Sequence, residues 1–482
     1  MGQKLEFLYI SCYNAPCERR KEEVVTAVIS KLRSFFLTKS YLIALLIVSC
    51  VITTFGLEVA GVIFFVLLIS VQLFLCDDIL VTTAPFLLLC TTVIKCYDSF
   101  DTFVKLAWLG IPLTAGLIYH FVRFRASPHI GVTFWGVVSV AVSITLGGLG
   151  IISTKDYFNP VSLFYVLSLG AVMVVLYLLL SGQMSFPREY SVPDYICRIM
   201  YTVVLLGIYM VFHAVISVLP TVLETGKLPR LQWSNNVSTL LIIALPFVYR
   251  FRNKTLVHLS VAFLALIAMF LSGSRGGWVM GTATYALSAI VFIIYRRHHR
   301  ALSAVFFFVS LAALCAGVYE MRGYLLSQFV YDAELDKYVF LYSKEPRMRL
   351  FERMKNDFSA NPLFGRGLGY SGNKDIYDPK KFAMHWYHSA PMQIIASLGI
   401  TGIFAYCTQI ATGLLALLRS VDSFKLCVLC SFTGLWLMSC VNPGIFCPYP
   451  YAFIMMMLLL ITESPAAEPK NTDPRVIVIS EE

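Results

Sequence analysis

Residues 255–295 read TLVHLSVAFLALIAMFLSGSRGGWVMGTATYALSAIVFIIY. Two apolar runs, 255–272 and 276–295, flank one polar turn, Ser272-Gly273-Ser274-Arg275-Gly276-Gly277-Trp278. Each run has about the length that a helix needs to cross a hydrocarbon layer of ~30 Å. Neither shows the ten-residue alternation of a membrane barrel strand. The pattern continues in both directions. Upstream, apolar runs fall at about 41–57, 59–75, 79–95, 104–122, 130–152, 161–181, 197–219 and 236–251. Downstream they fall at about 301–320, 388–418, 425–441 and 449–463. Because the first three runs are tightly joined, the expected number of spans is about 12–14. Composition agrees: the 482 residues are 58% hydrophobic and 14% charged, against about 25% charged in a soluble domain. The expected fold is all-α, a polytopic transmembrane helical bundle.

One long polar stretch interrupts the runs, residues 321–387, and it is expected to be a structured extracytoplasmic loop. Lys344 to Lys381 hold nine Lys/Arg against five Asp/Glu. A polar insertion of this size in a membrane protein commonly carries function. The division expected is a cytoplasmic tail over 1–39, bundle over 40–320, the loop over 321–387, bundle again over 388–463, and a cytoplasmic tail over 464–482. The N-terminal tail reads as an amphipathic helix near 21–37, without a cleavable signal sequence.

The net charge of +10 sits in short clusters between apolar runs: Arg123–Arg125, Arg250–Lys254, Arg296-Arg297-His298-His299-Arg300 and Arg419–Lys425. That is the positive-inside pattern, and it argues against a nucleic-acid partner. With the N-terminus inside, the long loop faces outward. Two inner connections, Asp77-Asp78 and 182–196, are not clearly basic. Most of the thirteen cysteines lie in or beside apolar runs and the long loop has none, so no disulfide framework is expected. Cys427-x-x-Cys430 lacks His or acidic neighbours, and no metal site is expected there. Gly365-Arg366-Gly367-Leu368-Gly369 lacks the strand and helix of a dinucleotide site, and no phosphate-binding lysine loop is present, so no cofactor is expected. The polar outliers within spans are His120, His213 and His258, whereas a proton-coupled transporter normally places carboxylates there.

Three places can carry chemistry. At the 272–278 turn, glycines allow a tight backbone and close approach of a ligand. Arg275 stands at a helix start, where the dipole disfavours a cation. An anion there would reconcile the two, since helix N-termini bind phosphate and a guanidinium grips it in a fork; a plain turn with Arg275 reaching toward headgroups is the other reading. Ser272, Ser274 and Gly276 are candidate substrate contacts of this turn. The second place is a helix expected at about 344–358, with Phe351, Met354 and Phe358 as its apolar stripe. Arg347 falls on that stripe and needs a buried carboxylate or a bound anion. Arg349 and Arg353 read as a solvated face, with Glu345–Arg349 an i,i+4 pair, and are kept as candidate substrate contacts. The third is His385 and His388, ahead of Ser389-Ala390-Pro391. Pro391 suits a first helical turn, which puts His388 at a helix mouth, where a neutral imidazole can take a proton from a sugar hydroxyl. Polar trim at the interface is the alternative.

In order and spacing these pieces resemble the O-antigen ligase and O-antigen polymerase family of bacterial membrane glycosyltransferases. They are Asn235-Asn236 before an apolar span, the turn at 272–277, the long loop, Arg347 with Phe351, Asn361-Pro362-Leu363-Phe364-Gly365 followed by Gly367 and Gly369, and His388-Ser389 leading into Gly399-Ile400-Thr401-Gly402. Residues 230–405 carry the resemblance; the N-terminal half matches only as a run of spans. Ser389 departs from the Asn common after this His, and Phe351 from a common Trp. The resemblance implies a transfer on the outer face of a bacterial cytoplasmic membrane, from a glycan on undecaprenyl diphosphate to an acceptor hydroxyl, without a metal. It assigns the diphosphate to Arg275 and Arg347, the acceptor hydroxyl to His388, and adds Asn236 to the substrate contacts. The partners implied are the lipid-linked donor, a glycan or glycolipid acceptor and membrane lipids. A single dominant outer loop looks like the layout of a ligase; a polymerase shares every motif. A polysaccharide flippase, the alternative class, predicts internal repeats and a charged central cavity, and neither is visible in the sequence.

Overall fold

A computed structural model describes residues 29–95, 105–150, 160–186, 188, 190–225, 231–251, 253–295, 300–320, 329–332, 337–340, 346–369, 387–442 and 444–464. The chain is a helical bundle. Its first half contributes α1 (Ile29–Phe36), α2 (Lys39–Phe55), α3 (Glu58–Leu75), α4 (Thr83–Thr92), α5 (Gly110–Arg123), α6 (Val132–Gly147), α7 (Ser162–Met184) and α8 (Val192–Ser217). A short α9 (Leu219–Thr225) leads to α10 (Ser234–Val248), α11 (Thr255–Leu271), α12 (Arg275–Tyr295) and α13 (Arg300–Glu320). The long loop holds an antiparallel pair, β1 (Phe329–Asp332) and β2 (Lys337–Phe340), and then α14 (Pro346–Ala360). The chain closes with α15 (Ala390–Leu418), α16 (Ser423–Ser439) and α17 (Phe453–Glu463). The all-α expectation is met in the bundle, and the strand pair is the departure from it.

Among the described residues, six helices are long and apolar enough to cross a membrane, and α1 with α2, bent by 72°, can make a seventh. Six more apolar helices among them have only 10–17 residues. The apolar runs are therefore as read, but several helices are shorter than their runs. The run at 161–181 is broken at Gly170, and the last run opens non-helically at Tyr449.

The packing follows from which helices are apolar all round. Every residue of α10 from Val237 to Val248 is buried, as befits a helix apolar on all faces. It lies among α8, α12 and α16. By contrast, α13 has one buried residue among those described, Ser310, and turns Val305, Phe308 and Val309 outward, so this helix is the bundle's margin. Helices α6 and α15 run antiparallel along their length. Small residues on α6 let the backbones approach: a Cβ on Gly136 would stand 2.4 Å from Thr412 Oγ1, and one on Gly147 2.5 Å from the Phe364 carbonyl. Between them Ser139 donates to the Ala405 carbonyl at 3.0 Å. Small residues spaced in this way are the usual means of close helix contact in a membrane.

The end of α6 opposite Thr133 is where the long loop docks. Helix α15 is broken at Gly399, whose φ of 63° and ψ of −150° suit glycine alone. The residues before and after the break turn their backbone groups to loop residues 361–368. Arg366 and Gly367 donate their N–H groups to the Ala396 and Ser397 carbonyls at 2.9 and 3.0 Å. In return Ile400 and Thr401 donate to the Pro362 and Leu363 carbonyls at 2.8 and 3.1 Å. Leu368 N–H then donates to the Gly148 carbonyl at 2.7 Å, just past the end of α6. Asn361-Pro362, expected to stop the preceding helix, does so, and Gly365, Gly367 and Gly369 all take left-handed backbone.

At the opposite end, the two connections that depart from the expected charge pattern compensate each other. Arg188 holds Asp78 with both arms, Nε at 2.9 Å and Nη2 at 3.1 Å, and Tyr190 donates to the same carboxylate. Their charges cancel at one spot. At this same end Glu463, the last residue of α17, caps α6 by accepting from Thr133 N–H at 3.0 Å.

Gly399→Ala places a methyl 2.4 Å from the Pro362 carbonyl in a conformation that only glycine adopts readily. It is expected to lower the stability of the purified protein by about 2–3 kcal/mol. Gly317→Ala in α13, where an added Cβ meets nothing within 4 Å, is expected to be neutral or to stabilise by up to about 1 kcal/mol. Thermal unfolding in detergent, followed by circular dichroism, compares the two; equal melting points would contradict the account of the break.

Candidate active site

The turn after α11 is built by its own hydroxyls. Ser274 caps α12, accepting from Gly277 N–H at 3.0 Å, and donates to Asn235 Oδ1 at 2.8 Å. Ser272 Oγ donates to the Met269 carbonyl at 2.8 Å and accepts from Ser274 N–H at 3.3 Å. Both serines are fully buried. Gly277 is fixed by close approach, since a Cβ there would lie 2.4 Å from Ser238 Oγ. Trp278 braces the turn, stacking on Phe270 at 5.6 Å between ring centroids and donating to the Phe270 carbonyl at 2.9 Å. Arg275, half-buried, is the first residue of α12, at the positive end of the helix dipole. Gly276 faces Met438 and Val441 at the C-terminal end of α16. Asn236 is half-buried, and its backbone carbonyl accepts from the Tyr451 hydroxyl at 3.1 Å. Asn235, its neighbour, is the asparagine whose side chain joins the turn.

The loop side is organised by one carboxylate. Helix α14 lies on the first turns of α15, but its inner stripe differs from the expected Phe351, Met354 and Phe358. The buried positions are Leu350, Met354 and Asp357, with Phe351 and Phe358 only half-buried. Leu350 and Met354 pack with Tyr387 and Ala396. The stripe shifts because Asp357, polar in sequence, has partners enough to be buried. Arg353 Nε stands 3.6 Å from Oδ2, Arg366 Nε 3.8 Å from Oδ1, and the Tyr387 hydroxyl donates to Oδ2. Burial and the adjacent Asp357 carboxylate raise the Tyr387 phenol well above the usual tyrosine range, so it stays a donor. Arg353 is thus not a freely solvated residue. Arg347 and Arg349 lie in the first turn of α14, and their side chains fall outside the described part of the structure. His385 lies outside the described residues.

His388 follows Tyr387 directly. It is exposed and has left-handed backbone, with φ of 53°. Ser389 is the N-cap residue of α15 and Pro391 falls in its first turn, as the sequence suggested. Because α16 returns antiparallel to α15, with Trp436 against Tyr406 and Phe432 against Gly413, its far end lies toward the start of α15. Gly276 touches that far end. The fold therefore carries Arg275 and His388 at the same end of the bundle, along with the docked loop.

Residues 260–407 match the family model described as O-antigen ligase. The matched segment begins within α11 and ends within α15. It contains the 272–278 turn, the long loop, the Gly399 break and His388, the parts from which the resemblance was read. It supports the O-antigen ligase family, and with it a ligase- or polymerase-type function in general terms, in a multi-pass membrane protein. No curated protein matches the chain. Within the matched segment, Asp357, Arg366, Tyr387 and Gln393 carry little local sequence signal. Only Asp357 left a trace there, standing four residues after Arg353 and three after Met354 on a helix. Asn235, named in the resemblance, lies ahead of the segment.

Ser274→Ala removes the cap of α12 and the bond to Asn235, and is expected to cost about 1–2 kcal/mol of stability. Ser274→Asp, which can still cap but cannot donate to Asn235, is expected to lie between the two. Denaturant or thermal titration in detergent ranks the three; a native-like Ser274→Ala would show that the turn does not depend on its cap.

Proposed function

We propose that this protein is an O-antigen ligase-like glycosyltransferase acting at the outer face of the bacterial cytoplasmic membrane. The donor is a glycan on undecaprenyl diphosphate, and the acceptor is a hydroxyl of another glycan or glycolipid. The acceptor oxygen forms a bond to the anomeric carbon, the bond from that carbon to the phosphate oxygen breaks, and undecaprenyl diphosphate leaves with the bonding pair. His388 orients the acceptor hydroxyl and receives its proton. Arg275 and Arg347 hold the diphosphate and stabilise its charge as the bond breaks. Two guanidiniums supply the positive charge that a divalent ion supplies elsewhere, so the transfer is proposed to run without a metal. Ser272, Ser274 and Gly276 shape the turn that presents Arg275; Asn236, Arg349, Arg353 and His385 are proposed to line the substrate path.

The observation that carries this reading is Arg275 at the start of α12. A cation at the positive end of a helix is disfavoured by the dipole. A diphosphate there is attracted by both the guanidinium and the helix start. The alternative within the same chemistry is a polymerase, in which the acceptor is the next lipid-linked repeat unit. The single dominant loop favours the ligase.

The test uses purified protein in detergent with a short glycan on undecaprenyl diphosphate, first alone and then with candidate acceptors. Transfer only to an added acceptor is the expected result; growth of the lipid-linked glycan with no added acceptor would make the protein a polymerase. His388→Ala is expected to lower the rate by about 10²–10⁴-fold, and Arg275→Ala by about 10²–10³-fold. A chelator such as EDTA is expected to leave the rate unchanged. No transfer to any of several acceptors would favour the flippase.

A further inference from the structure

His388 is held in left-handed backbone, a conformation that L side chains disfavour. Such a conformation persists only where the surroundings over-determine it. Here one residue meets the chain on both sides of the histidine. The Gln393 side chain accepts the Tyr387 N–H on Oε1 at 3.0 Å, while its backbone N–H makes the first hydrogen bond of α15, to the Ser389 carbonyl at 2.9 Å. Gln393 is fully buried. Its amide is oriented by its third bond, from Nε2 to Ser397 Oγ at 2.8 Å. Ser397 in turn accepts the Gly367 N–H of the docked loop through its carbonyl at 3.0 Å. At the other side, Tyr387 is fastened through its hydroxyl to Asp357. Rotating the backbone at 387–389 toward an ordinary helical or extended form would break buried hydrogen bonds on both sides of His388 and leave their partners unpaired.

We propose that Gln393 is a positioning residue for the transfer reaction, which holds His388 left-handed so that its imidazole stands out from the mouth of α15 toward the acceptor. Tyr387 and Asp357 are the second anchor of the same clamp. This rests on the reading of His388 given above. The clamp connects the general base to the broken helix through Ser397, so the geometry of the reacting group is set by the same backbone exchange that docks the loop. A misplacement of about 1 Å in a reacting group can cost roughly 10²-fold in rate, which is the scale on which such a clamp acts.

The experiment measures steady-state transfer by the full-length protein in detergent, from a glycan on undecaprenyl diphosphate to the acceptor that it accepts. The variants are Gln393→Ala, Gln393→Glu, Tyr387→Phe, His388→Ala and the double variant of Gln393 and His388 to Ala. Gln393→Ala is expected to lower kcat by about 10–100-fold with the donor KM within about 3-fold. Gln393→Glu, neutral in so buried a place, keeps an acceptor for the Tyr387 N–H and a donor for Ser397 Oγ, and is expected to stay within about 3-fold of the native kcat. Tyr387→Phe, which keeps the backbone bond and loses only the tie to Asp357, is expected to fall between them. In the His388→Ala background, Gln393→Ala should have no further effect, because it acts through the histidine. A native kcat in Gln393→Ala, a loss that appears in KM instead, or a second loss that multiplies the first would each overturn the proposal. Should Gln393→Ala not yield a monodisperse protein, or His388→Ala leave no measurable rate, Gln393→Glu and Tyr387→Phe decide: an equally deep loss in Glu, or a native kcat in Phe, overturns it. Full activity in His388→Ala would remove the reading of His388 itself, and this proposal with it. An inactive His388→Ala beside a native Gln393→Ala would remove this proposal alone.

Discussion

Backbone hydrogen bonding at the Gly399 break is the constraint on which the arrangement of the site depends. A helix interrupted inside an apolar bundle exposes carbonyl and N–H groups that neither lipid nor apolar side chains can satisfy. Each would cost about 1–3 kcal/mol if left unpaired. Residues 361–368 meet four of them, two as donors and two as acceptors. The break and the loop are thus one structure: neither is stable in this form without the other. The loop's far end reaches Gly148 beside α6, so the closely packed α6 and α15 form the platform on which the polar insertion stands.

From that platform the charges of the loop become intelligible. Arg366 is carried by the same residues that bridge the break, and its guanidinium is brought to Asp357 on α14. Arg353 shares the carboxylate from within α14, and Tyr387 donates to it from the start of α15. Asp357 therefore links three separate pieces of chain. Burying a lone carboxylate is prohibitive. Burying one that meets two guanidiniums and a phenol is feasible, and removal of a partner leaves a buried charge poorly compensated. The acid ties α14 to the bundle where an apolar residue would only rest against it.

Much of the bundle was legible in the sequence because span length and connection charge are local quantities. The turn at 272–278 was legible for the same reason: glycines, two serines and an arginine between apolar runs have few other uses. Pro391 and Asn361-Pro362 marked their helix boundaries. What was not legible depends on partners distant in sequence. Gly399-Ile400-Thr401-Gly402 reads as ordinary helix, since nothing local tells that Pro362 and Leu363 will supply its missing acceptors. Periodicity found a stripe on α14 but followed the large Phe351 and Phe358. The true inner face includes an acid whose burial depends on Arg366 and Tyr387. Asp78 and Arg188 looked like two exceptions to the charge rule until the fold set them side by side. Gln393 had no signal at all, being one polar residue in an apolar run.

Between residues 361–367 and the broken helix the hydrogen bonds run through main-chain atoms, while α14 rests on α15 through the Leu350 and Met354 side chains. Leu363 is largely exposed, and its carbonyl, not its side chain, meets Thr401. Side chains at such positions are free to drift in size and polarity without unfastening the loop, while the path of the backbone is held. Sequence change around the site can therefore reshape what the loop presents without re-inventing how the loop is attached. The attachment is conservative and the presented surface is adaptable, and a single stretch of about eight residues serves both ends.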